Sequence, residues 1–137
     1  MITGDSVSVT TVVRTDPAAA FRFFTDEIDA WWKRGPRYRH GGAMRFDAGR
    51  LMEDNNAIGR VLAWEPGVRL VLEWSGDPFG PGETTEVEVR FEAVGDGTRV
   101  TVEHRGWTRA KGASEFRTVV GLWWGALLPG FGRYCRR

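Results

Sequence analysis

Among the side chains that can do acid–base chemistry, His104 holds the most informative position. It lies in the alternating run TRVTVEHRGW, residues 98–107, on the same parity as Val100 and Val102. Side chains two apart on a strand share a face, so an apolar row that turns inward takes His104 with it. An inward histidine can hydrogen-bond a ligand or act as a general acid or base. The commoner outcome is a satisfied core or rim histidine, because no second catalytic residue stands beside it. Glu53 and Asp54 are the carboxylates considered as partners, although no spacing ties them to His104.

The aromatic residues suggest binding more than catalysis. Trp74 ends the row Val68, Leu70, Leu72, Trp74, where its indole can stack on a ligand or pack in the core. Trp31 and Trp32 close a short apolar segment. Neighbours on a helix point about 100° apart, so one should pack inside and the other should rim an entrance. Residues 33–40 carry four basic side chains, Tyr38 and His40. They can attract an anion at a cavity mouth or simply be solvated.

Metal and thiol chemistry have little support. His40, His104 and Cys135 are the only soft or borderline ligands, and none are paired at metal-site spacing. Cys135 reads as an exposed terminal thiol beside Arg133, Arg136 and Arg137. Pairing it with His104 would require the tail to fold back. No glycine-rich phosphate loop occurs. No cofactor and no metal are expected.

The 137 residues fit one domain, 1–137, large enough to bury a core without a disulfide. Nineteen basic and eighteen acidic residues leave a net charge of +1, which argues against nucleic acid as a partner. The longest apolar run, 119–131, is shorter than the roughly 20 residues a membrane-spanning helix needs, and it contains Pro129. The N-terminus lacks the basic-then-apolar pattern of a signal peptide, so a cytoplasmic location is expected.

The elements that would position these residues follow in order. Residues 7–13 alternate as a strand. Asp16-Pro17 then start a helix, with the aspartate as cap and the proline in the first turn. Ala20, Phe23 and Phe24 form its apolar face, and a second short helix covers residues 26–32. Strands follow at 43–48, 50–53, 59–65, 68–74, 84–94 and 98–107. Turns fall at Asp54-Asn55-Asn56, Pro66-Gly67 and Gly95-Asp96-Gly97, and a Gly/Pro-rich loop spans 75–83. Val87, Val89 and Phe91 share the inward face of their strand. In residues 59–65, Ile58, Arg60, Leu62 and Trp64 compete with Val61 and Ala63 for the inside.

The last segment, 114–134, has helical spacing, with Phe116, Val119, Val120, Trp123, Leu127, Phe131 and Tyr134 on one face. Gly121, Gly125 and Pro129 fall on its outer side, and Trp124 falls at the flank. Pro129 takes away the amide that would bond to the Gly125 carbonyl, so a bend is expected there. Only this helix is long enough to cover a six-stranded sheet.

These features resemble the START-like (SRPBCC, helix-grip) superfamily, and more closely the single-domain group related to the activator of heat shock protein 90 ATPase. The resemblance rests on Thr15-Asp16-Pro17, Phe24-Thr25-Asp26, Trp31-Trp32, Gly41-Gly42, Gly59-Arg60-Val61, Pro66 to Trp74, the 85–104 hairpin and Gly121 with Trp123 and Leu127. It implies an α+β helix-grip fold: a curved antiparallel sheet of six to seven strands around a long C-terminal helix, with two short helices after the first strand. It also implies an apolar cavity between sheet and helix, and places Trp32 near it. Relatives bind lipids, hormones or polyketides, and a few are cyclases or hydrolase-like enzymes. The segment Leu127 to Phe131 and the basic tail depart from the family pattern, and the chaperone-activating relatives carry sequence this chain lacks.

The expected function is therefore binding of a small apolar, aromatic or lipid-like molecule. The lining set is Trp32, Trp74, Val89, Phe91, Val102, His104, Val120, Trp123 and Leu127. The alternatives are a cavity enzyme of cyclase, dehydratase or hydrolase type using His104, or a chaperone cofactor or other interaction protein. A homodimer is considered on the small-residue back face of the last helix, Gly121, Leu122 and Gly125.

Overall fold

The computed structural model describes residues 6–33, 41–74, 84–106 and 117–136, and for 117–123 it describes the backbone only. The expectations placed on residues 34–40, 75–83, 107–116 and the side chains of Val119, Val120, Gly121, Leu122 and Trp123 lie outside the described residues.

The first strand, β1 (Ser6–Val13), is followed by α1 (Pro17–Thr25) and the single turn α2 (Ile28–Trp31). Asp16 caps α1: its Oδ1 accepts the Ala19 amide at 2.8 Å, and Pro17 occupies the first turn, where no amide is required. The buried face of α1 is Ala20, Phe21 and Phe24, with Phe23 only half-buried. The expected face, centred on Phe23, is therefore rotated. Phe21 meets Phe91 and Trp64 on the sheet, while Phe23 is covered by Tyr134.

Six further strands complete a seven-stranded antiparallel sheet: β2 (Met44–Asp47), β3 (Arg50–Glu53), β4 (Asn56–Glu65), β5 (Arg69–Trp74), β6 (Thr85–Val94) and β7 (Gly97–Arg105). The spatial order is β1-β7-β6-β5-β4-β3-β2, so the first strand pairs with the last. Turn chemistry sets the register. In Pro66-Gly67 the proline presets one residue, and Gly67 takes φ +75°, which suits glycine; the Val68 amide closes the turn on the Glu65 carbonyl at 2.9 Å. Val68 ends up exposed, outside the inward row expected for it, because it belongs to that turn.

The competition in β4 is settled by a bulge between Val61 and Ala63. Val61 lies opposite Leu72, and Trp64 lies opposite Leu70, so one extra residue turns both towards the same face as the core, with Val61 half-buried and Trp64 still largely exposed at its rim.

The last helix, α3 (Arg117–Tyr134), lies against β1. Its buried stripe is Trp124, Leu127, Leu128, Phe131 and Cys135, spaced 3, 1, 3 and 4 residues apart as one helical face requires. Trp124, expected at the flank, is thus inside. Gly125 and Pro129 face solvent, so water can satisfy the Gly125 carbonyl that Pro129 leaves without its amide. Phe131 binds the layers together, with its ring 5.3 Å from Phe24 and 5.0 Å from Trp31. Burying each such ring stabilises the fold by about 1.5–3 kcal/mol.

The outer face of the sheet is ionic. Glu88 lies among Arg105 (2.7 Å), Arg90 (3.4 Å) and Arg69 (3.6 Å). These arginines hold its carboxyl below the usual range, against the opposing effect of burial. Among the described residues, no helix is long and apolar enough to cross a membrane.

Candidate functional site

The inward parity of β7 places His104 in the interior, 2% exposed. Its cross-strand partners are Val7 on β1 and Val87 on β6. Neither can bond to it, so its polar atoms find partners diagonally and overhead. The Trp124 indole N–H of α3 donates to Nδ1 at 3.2 Å. At 2.6 Å, Nε2 meets Thr85 Oγ1 of β6.

These two contacts fix the tautomer. An indole N–H can only donate, so Nδ1 must carry a lone pair, and the neutral ring's proton then sits on Nε2 and is donated to Thr85. Burial lowers the His104 pKa from 6.5 to about 3. At neutral pH the ring is therefore uncharged, with its lone pair and its proton both engaged. The carboxylates considered as its partners, Glu53 and Asp54, are engaged at the start of β2. Glu53 Oε2 accepts the Gly42 amide at 2.9 Å, and Asp54 Oδ1 accepts the Ala43 amide at 3.1 Å, so both carboxylates anchor the start of β2.

Three tryptophans cluster at this polar trio, Trp124 belonging to both groups. Trp32 and Trp74 are stacked, with centroids 6.2 Å apart and planes at 20°. Trp124 stands edge-on to both, at 5.6 Å from Trp32 and 6.4 Å from Trp74. Trp74 lies 6.2 Å from the His104 ring. Trp31 and Trp32 are both buried, at 5% and 3%, which corrects the expectation that one would rim an entrance. Trp32 leaves the helix with ψ 126°, so the angle that separates helical neighbours does not apply, and both rings turn inward. The Trp31 indole donates to the Phe24 carbonyl at 3.2 Å.

Val89, Phe91, Val102 and Leu127 are buried on the same interior face, at 0%, 4%, 1% and 0%. Among the described residues no buried side-chain nitrogen or oxygen lacks a hydrogen-bond partner. Cys135 is 5% exposed and part of the core, against the expectation of an exposed terminal thiol, because α3 carries it one turn beyond Phe131. Burial first, and then Glu27, push its pKa up to about 11, so it is not a nucleophile at neutral pH. Among the described residues no group of three His, Cys, Asp or Glu side chains can hold a metal ion.

Sequence reasoning missed two members of the site. Thr85 lies on the parity of Val87, Val89 and Phe91, one step before the row named from sequence, so its inward direction was available there. Trp124 follows only from the rotation of α3 on the sheet. A concavity of about 320 Å³ opens away from these residues, at the β2–β3 turn, and is lined by Phe46, Asp47, Ala48, Gly49, Val61 and Trp64.

Comparison with curated proteins finds no match in sequence. Solved structures share the fold. CalU16 from Micromonospora echinospora is 22% identical with a TM-score of 0.70, covering 95% of this chain and 75% of that one. The Aha1 dimer from Colwellia psychrerythraea is 17% identical with a TM-score of 0.65, covering 96% and 94%. PFC0360w, an HSP90 activator from Plasmodium falciparum, is 20% identical with a TM-score of 0.58, covering 74% and 72%. The family model described as Activator of Hsp90 ATPase homolog 1-like protein matches residues 14–131. Seven antiparallel strands gripping one C-terminal helix, together with that match, make the chain a helix-grip member of the Activator of Hsp90 ATPase homolog 1-like family.

Proposed function

We propose that the protein binds a small apolar or aromatic molecule between the inner face of the sheet and α3. One observation carries this reading: three tryptophans, one just after α2, one from β5 and one from α3, converge on a neutral, hydrogen-bonded histidine. Binding sites of this kind combine an apolar aromatic lining with a few fixed polar groups. Trp32, Trp74 and His104 are the recognition residues, and Val89, Phe91, Val102 and Leu127 supply the apolar walls. A cyclase, dehydratase or hydrolase would need a proton carrier titrating near neutrality, and His104, at about 3, is not one.

Native mass spectrometry of the protein purified from its own host tests the reading. A co-purifying hydrophobic compound that is lost in Trp74→Ala supports it. Ligand-free protein, together with cage tryptophans whose fluorescence no apolar compound alters, defeats it.

Family membership favours a second reading, a chaperone-cofactor role, since a relative of this fold is described as an HSP90 activator. Stimulation of Hsp90 ATPase by the purified chain would support it, and an unchanged rate over a wide concentration range would remove it. A homodimer, as in the Colwellia relative, is tested by sedimentation across concentrations.

A further inference from the structure

The polar trio is a chain of hydrogen bonds with one direction. It starts at the Trp124 indole, which can only donate, passes through Nδ1 and Nε2–H of His104, and ends at the Thr85 hydroxyl as acceptor. A hydroxyl that accepts still has its own proton to give. No second hydrogen bond of the Thr85 hydroxyl occurs among the described residues, and Thr85 is 1% exposed, so bulk water does not serve it. Thr85 is the first residue of β6 and stands opposite Trp74, the ring stacked on Trp32. On its other side, one step beyond the last β7 pair, the chain has Gly106.

We infer that the interior site selects its ligand by an uncharged oxygen acceptor, a ketone or similar carbonyl on a flat apolar ring, which receives the Thr85 hydroxyl proton. This rests on the binding reading and names the ligand class for that same site. A planar ring suits the tryptophan cage. A carbonyl suits the unused proton, and a donor group would meet Thr85 with the wrong polarity. A carboxylate would find no cation in the trio. A buried donor left unpaired penalises an analogue that lacks the acceptor, which is how a hydrogen-bonding site rejects an isostere.

The test uses two probes of equal shape, 1-indanone and indane, titrated into the intact chain. The readout is the tryptophan side-chain N–H resonances and the His104 ring nitrogens. Indanone should bind at least about tenfold tighter, the worth of one buried hydrogen bond. Thr85→Val should erase that preference, and Thr85→Ser should retain it. Equal affinity for the two probes, or a preference that survives Thr85→Val, overturns the inference and leaves the binding reading standing. Failure of both probes to move the cage resonances overturns both. The free protein gives an independent check that needs no variant to fold. Its His104 nitrogen shifts should report the Nε2–H tautomer, and an Nδ1–H tautomer would reverse the chain and end the inference.

Discussion

Acid should destabilise this protein through His104. In the folded chain burial lowers the imidazole pKa to about 3, whereas its ordinary value is 6.5. The unfolded state therefore binds a proton that the folded state refuses. The stability this gives is fully present above pH 6.5 and is lost as the pH falls from 6.5 towards 3. Each pH unit inside that window costs about 1.4 kcal/mol, so moving from pH 7.5 to pH 5 costs about 2 kcal/mol. That is a large part of a typical domain's stability of about 5–15 kcal/mol. The assay is urea denaturation at pH 7.5, 6.5 and 5 for the wild-type chain and for His104→Gln. The variant starts lower, by about 1–3 kcal/mol, because it disturbs the Trp124 and Thr85 bonds. It should then lose about 2 kcal/mol less than wild type on acidification. The other ionisable groups are common to both proteins and drop out of the difference. Parallel pH curves would refute the reasoning, as would a folded-state His104 resonance that titrates near 6.5.

Backbone geometry and thiol burial give three further expectations. Ala48 and Gly49 both have positive φ (+52° and +78°) in the turn between β2 and β3, so Ala48→Asn should stabilise by about 1 kcal/mol in urea melts, and a loss of stability would contradict the strain argument. A Cβ at Gly97 would lie 2.4 Å from the Val13 carbonyl oxygen, whereas one at the exposed Gly125 of α3 meets nothing within 4 Å. Gly97→Ala should therefore destabilise by at least about 2 kcal/mol and Gly125→Ala should stabilise by up to about 1 kcal/mol, and thermal melts showing the same sign for both would rule this out. Cys135, buried and with a thiol pKa of about 11, should resist iodoacetamide at pH 7.5 in the folded protein and react once urea unfolds it, so rapid native labelling would show that the helix end is open.

Much of the architecture could be read directly from the chain. Alternation in 84–94 and 98–107 set which side chains of β6 and β7 turn inward, because a strand repeats every two residues and admits only two faces. Asp16-Pro17 marked the start of α1, since a capping carboxylate and a residue without an amide are what the first turn requires. Helix rotation was harder to read. The apolar arcs of α1 and α3 are broad, and several rotations bury similar area. Phe21 and Trp124 are inside because of where the sheet presents Phe91, Trp64 and His104 to them. Trp32 escaped helical reasoning by leaving the helix, and the β4 bulge escaped strict alternation by adding one residue.

The same division holds at the site. The inward direction of His104 and Trp74, and the apolar row Val89, Phe91 and Val102, follow from local periodicity, which each strand carries in its own residues. The neutral Nε2–H state of His104, its bonds to Thr85 and Trp124 and the stacking of Trp32 on Trp74 were decided by tertiary structure. These partners lie 19, 20 and 42 residues apart in the chain. No local pattern relates such positions. Only the register of β5, β6 and β7 and the seating of α3 across the sheet bring them within hydrogen-bonding or ring-contact distance, and burial there makes each polar partner obligatory.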